Sequence, residues 1–137
     1  MMKKIVVPGL LAGVLLLIAS YAALYLTVKF FPWIAEEYYN PMFSMEGDKA
    51  VMFFLHPFIL AFGLAWFWDR FKGLFHGNFI WRGFEMGVVY GLIATLPSTW
   101  MTFSAISVSL QIVLTWFAYG LFQAVVAGIV FAKLNPE

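Results

Sequence analysis

Charge along this chain is confined to short clusters, and the runs between them are long and apolar. Ile5 to Val28 is 24 residues without a charge; Val51 to Trp68 is 18 residues in which His56 is the one ionisable group; Met86 to Ala132 is 47 residues with no charge at all. Crossing roughly 30 Å of hydrocarbon at ~1.5 Å per residue takes ~20 mainly apolar residues, so the first two runs are one span each. A single helix over the third would be about 70 Å long, twice a bilayer, so that run is two spans. Pro97-Ser98-Thr99 and then Ser104, Ser107 and Ser109 punctuate it. The pattern predicts an all-α integral membrane fold, a bundle of four transmembrane helices over about 5–31, 51–68, 80–103 and 107–132. An outer loop at 32–50 and a cytoplasmic loop at 69–79 separate them, and the whole is one domain of 137 residues.

Composition agrees and narrows the function. Hydrophobic residues are 64% of the chain and charged residues 11%, against about 25% charged in soluble domains. An aromatic share of 20% excludes a disordered chain. Net charge is +1 and no basic cluster exceeds Lys3-Lys4, so there is no electrostatic footprint for nucleic acid. The absence of cysteine removes disulfides, thiolate metal sites and thiol nucleophiles together. With four spans, Lys3, Lys4, Arg70, Lys72, Arg82 and Lys133 fall on one side and Lys29 and Lys49 on the other. Short Lys/Arg-rich loops stay cytoplasmic, so both termini are expected inside, in a cell inner (plasma) membrane. Met1-Met2-Lys3-Lys4, an apolar stretch and Ser20-Tyr21-Ala22 also suggest a secretory signal. Its apolar core should be about 7–15 residues, whereas here it continues to Val28, so the first helix is expected to be retained.

Small residues recur every four positions in the third predicted helix, at Gly83, Gly87, Gly91 and Thr95, and in the fourth at Gly120, Ala124, Gly128 and Ala132. Such stripes let helix backbones approach closely, and these two helices are expected to pack through them. Helix 1 has a shorter form in Gly9 and Gly13, then Ala19 and Ala23. Two helical hairpins echo each other weakly. Helices 1 and 3 each open with GxxxG and end before a proline, Pro32 and Pro97, and helices 2 and 4 share Ala61-Phe62-Gly63-Leu64 and Ala118-Tyr119-Gly120-Leu121. Short matches among Ala, Gly and Leu arise freely in apolar sequence, and chance is the preferred explanation.

Polar side chains inside the spans are functional candidates by default. Glu85 stands three residues after Arg82, on neighbouring helix positions and about 160° from the glycine stripe. With Asp69, Arg70 and Arg82 it belongs to the cytoplasmic end, where an interfacial Arg82–Glu85 ion pair is expected; a carboxylate lining a cytoplasmic vestibule is the alternative. Met52 lies one turn before His56 on the same face, with Met42 and Met45 in the loop above, a soft donor set that only weakly suggests copper. Gln123 is the deepest strongly polar side chain and suits an interhelical hydrogen bond, with Gln111, Thr115 and Tyr119 continuing a thin polar edge outward. No metal or other cofactor is expected.

Catalysis finds no foothold, because His56 and Glu85 are predicted on opposite sides of the bilayer and His76 lies in the cytoplasmic loop, away from His56. The outer-loop acids Glu36, Glu37, Glu46 and Asp48 are expected to be solvated. The pattern resembles that of small four-helix proteins of prokaryotic membranes, in topology only. The chain is therefore expected to be non-enzymatic, with the lipid bilayer and other transmembrane helices as partners. A structural or accessory subunit is the leading expectation, and a small homodimeric transporter or channel the alternative.

Overall fold

The computed structural model describes residues 2–43 and 46–137. Helix accounts for 85% of the chain, and no strand occurs among the described residues. In order come α1 (Met2–Phe30), α2 (Pro32–Glu37), α3 (Asp48–Phe71), a 3-10 turn (Lys72–Leu74), α4 (Phe79–Tyr90), a π turn (Gly91–Thr95), α5 (Leu96–Ala105) and α6 (Leu110–Leu134). Four helical stretches, Lys3–Phe30, Asp48–Leu74, Phe79–Ala105 and Leu110–Leu134, are long and apolar enough to cross a membrane.

Local chemistry sets the helix starts. The Asn78 side chain accepts from the Trp81 backbone N–H at 2.9 Å and begins α4, and Ser109 does the same for Ile112 at 3.2 Å and begins α6. Gly77, just before the first of these caps, has φ +96°, a left-handed conformation open to glycine at little steric cost. Residues 107–109 lie outside any helix, with Val108 N–H turned back to the Ile106 carbonyl and Ser109 extended, so α6 begins three residues later than the pattern suggests.

Pro97 does not end a helix. The turn before it widens to π geometry, with the Leu96 N–H returning to the Gly91 carbonyl, and α5 continues to Ala105. Proline has no N–H to donate and its ring crowds the carbonyl four residues back, here that of Ile93 inside the widened turn. The break is absorbed and the third apolar helix runs unbroken to its full length. The outer segment 32–50 also departs from a plain loop, since Pro32 opens the short helix α2 at its first turn.

The helices pair through their small residues. Between α1 and α3, Gly9 and Gly13 receive the rings of Phe62 and Phe58, so closely that an added Cβ would lie 2.8 Å and 2.5 Å from them. Between α4 and α6 the approach is backbone to backbone. A Cβ at Gly128 would sit 2.8 Å from the Gly83 carbonyl oxygen, Gly87 faces Val125, Gly91 faces Leu121, and Gly120 faces Thr95 of the π turn. α6 packs against α1, α3, α4 and α5, whereas the backbones of α3 and α4 stand apart. α6 is thus the helix on which the α1–α3 pair and α4 both rest, and Ala124 and Ala127 on it are fully buried beside Ala12, Leu16, Ala61, Trp68, Met86 and Phe131.

A smaller cluster closes the end at which α6 begins. Ile34 of α2 packs with Ile112 and Val113, flanked by Phe43, Val108 and Trp116. Glu37 is not simply solvated, as the sequence suggests. Its carboxylate accepts from the Ser109 hydroxyl at 2.6 Å, beside the α6 N-terminus, where a negative charge is favoured. Trp116 donates its indole N–H to the Tyr38 hydroxyl, also at 2.6 Å, and burial pushes the Tyr38 phenol above its usual value near 10.

Candidate functional site

Two polar constellations lie within the bundle. The first crosses three helices at mid-depth. His56 of α3 is eight residues, about 12 Å, into its helix, and Gln123 of α6 is thirteen residues, about 20 Å, from the same end. The Gln123 amide nitrogen reaches His56 Nε2 at 3.4 Å, while His56 Nδ1 lies 3.0 Å from the Phe53 carbonyl oxygen. A carbonyl can only accept, so Nδ1 carries the hydrogen and Nε2 is left as acceptor for the amide, the neutral tautomer. One turn along α6 from Gln123, Tyr119 shares a 2.7 Å hydroxyl–hydroxyl bond with Ser20 of α1, whose own oxygen lies 2.9 Å from the Leu16 carbonyl.

This geometry changes the reading of the methionines. Both His56 ring nitrogens are engaged, Met52 is two-thirds exposed, and Met42 lies in an exposed turn; Met45 lies outside the described residues. Gln111 is the second residue of α6 and exposed, so it stands at a helix end and not within the polar chain. Thr115 returns its hydroxyl to the Ile112 carbonyl at 2.6 Å.

The second constellation is at the opposite end, where the sequence groups Asp69 and Arg82, but its centre, Asn135, was not legible there. Asn135, just past α6, is only 3% exposed and joins three other segments. Its amide donates to Asp69 Oδ1 at 2.9 Å and to the Lys4 carbonyl at 3.3 Å, its side-chain oxygen accepts from Lys72 at 2.7 Å, and its backbone carbonyl accepts from the buried Trp68 indole at 2.8 Å. Lys72 also bridges Asp69 at 3.2 Å, the one salt bridge among the described residues. Arg82 does not pair with Glu85. Its guanidinium donates to the carbonyls of Lys72 and Pro136 at 3.1 and 3.0 Å and lies 5.0 Å over the Trp68 ring, which in turn stacks on Phe75. One terminal nitrogen of the fork serves both carbonyls and the plane lies over a ring face, while Nε is buried without a partner, so the guanidinium is turned towards the α6 end and away from the Glu85 carboxylate one turn along.

Glu85 turns instead to the loop, where Oε2 accepts from the His76 backbone N–H at 3.0 Å. Arg70 lies 5.5 Å over the Trp66 ring on the outside of α3. His56 and His76 are a helix length apart, on α3 and beyond its far end, and no group of three or more His, Asp or Glu side chains suited to a metal ion occurs among the described residues. Comparison with known proteins finds no family model, no curated protein and no solved structure that matches this chain.

Proposed function

We propose that this is a multi-pass protein of a cell inner membrane, with four spans and cytoplasmic termini, acting as a non-enzymatic structural or accessory subunit that packs against other transmembrane helices. The filled axis carries the reading. Ala12, Leu16, Ala61, Trp68, Met86, Ala124, Ala127 and Phe131 are each 0% exposed, so the space a conduit would need is taken by small side chains and aromatic rings. The exterior supports a bilayer setting, since Ile59, Ile93 and Trp100 are 72–74% exposed and belong to apolar surface far larger than soluble monomers leave bare. The six-to-two division of Lys and Arg supports the orientation. Native size in mild detergent tests the role: a stoichiometric, unrelated membrane partner is expected, and an isolated homodimer would count against it.

The His56–Gln123 and Ser20–Tyr119 contacts favour a second reading, a homodimeric transporter or channel for an ion or small solute, because polar groups at this depth are costly to keep without a role. Purified protein in sealed vesicles separates the two. Ion or solute flux abolished by Gln123→Leu would favour transport, and tight vesicles favour the accessory role.

A further inference from the structure

Because α3 and α4 are held apart by α6, a furrow runs between them. Its upper part, about 380 Å³, is lined by Gly63, Leu64, Phe67 and Val89; its lower part, about 560 Å³, shares Phe67 and Val89 and ends at Phe71, Trp81 and Glu85. Both volumes are of ligand-site size, roughly 300–1,000 Å³. Gly63 keeps the furrow open, with nothing within 4 Å of where its Cβ would be. The helical lining runs from Ile59 to Phe71 on one wall, with Leu74 and Phe75 of the following turn at its end, and from Trp81 to Ala94 on the other, or about 18–20 Å.

That length identifies the occupant. A transmembrane helix needs a seat along roughly 30 Å of hydrocarbon, whereas about 18–20 Å matches one leaflet and its interface. An acyl chain fits this length, with its head at the Trp81 and Glu85 end. Glu85 is the one charged side chain lining the furrow, and Arg82 donates to Lys72 and Pro136, so the carboxylate holds only the His76 N–H. A partly buried carboxylate without a cation is unfavourable, and a primary ammonium supplies charge together with N–H donors. A quaternary choline has no N–H to donate, and an anionic head is repelled.

We infer that the α3–α4 furrow binds one phospholipid with an ethanolamine head from the leaflet in which α4 begins, its acyl chain along Gly63 and Phe67 and its ammonium on Glu85. This rests on the four-span membrane reading above. The test reconstitutes the full chain in vesicles of equal parts palmitoyl-oleoyl phosphatidylethanolamine and phosphatidylcholine, then counts retained lipid by native mass spectrometry. One bound phospholipid is expected, with about a tenfold preference for ethanolamine, the worth of one charge-assisted hydrogen bond. Glu85→Gln should reduce the preference to parity while still retaining lipid. Gly63→Phe, which fills open space, should retain neither lipid at unchanged helix content.

An unchanged preference in Glu85→Gln, undiminished retention in Gly63→Phe, or a dimer that Gly63→Phe splits into monomers would overturn the assignment, the last by making the furrow a seat for a second copy. Extraction of the chain from the same vesicles at alkaline pH would instead refute the four-span reading itself. A chain that resists extraction yet carries no phospholipid refutes the lipid site alone.

Discussion

Asn135 is where the ends of the bundle are tied, because one buried amide serves Asp69, Lys72 and the backbone of Lys4 together. Asn135→Ala removes the shared partner and leaves buried polar atoms unsatisfied, so thermal or chemical unfolding in detergent should show a loss of about 2–3 kcal/mol; a change below about 0.5 kcal/mol would mean that water replaces the amide freely. Nothing in the sequence marks this residue. It follows the last apolar position and looks like solvated tail, and its burial arises only when Trp68 and Arg82 close over it. Glu85 and Arg82 show the complementary failure: a three-residue spacing makes a pair possible, but Arg82 has better acceptors nearby. Glu85→Gln should therefore change stability by no more than about 1 kcal/mol in the same unfolding measurement, because no ion pair is lost and the amide oxygen can still accept the His76 N–H. Gln123 was legible as an interhelical donor from its depth, whereas its partner His56 was not, since rotation of α3 about its axis cannot be read from one chain.

At the scale of elements, glycines of equal spacing separate into contacts and open positions. Gly83 meets the backbone of Gly128 and Ile129, atoms that cannot swing aside, so Gly83→Ala should destabilise by at least about 2 kcal/mol despite alanine's better helix propensity. Gly63 faces open space, and Gly63→Ala should raise stability by about 0.5–1 kcal/mol. Detergent-phase unfolding of the two variants reads both signs at once. Gly87→Ile should lower the unfolding temperature without changing oligomer size, because its neighbour Val125 belongs to the same chain, while Val88→Ile, one methylene larger, should be nearly silent. The glycine stripes are visible in the sequence because period-four spacing survives any context. The π turn and α2 are not: Pro97 looks like a stop unless the preceding turn widens, and six residues with two acids look like loop until Ile34 finds Ile112.

At the scale of the whole molecule, the four apolar helices follow from the lengths of the uncharged runs, and their arrangement follows from which small-residue faces meet. Run length is a one-dimensional property and is legible; the furrow between α3 and α4 depends on both helices packing on α6 and not on each other, and is not. The central claim is a packed four-span bundle with both termini and the Asp69–Arg82 segment on one side. The chain contains no cysteine, so single cysteines report without background. Asn40→Cys, His76→Cys and Glu137→Cys in otherwise unchanged chains would each be challenged, in intact cells, with a membrane-impermeant maleimide and again after permeabilisation. Labelling of Asn40→Cys in intact cells, with His76→Cys and Glu137→Cys labelled only after permeabilisation, is the predicted result; labelling of His76→Cys from outside would contradict the account.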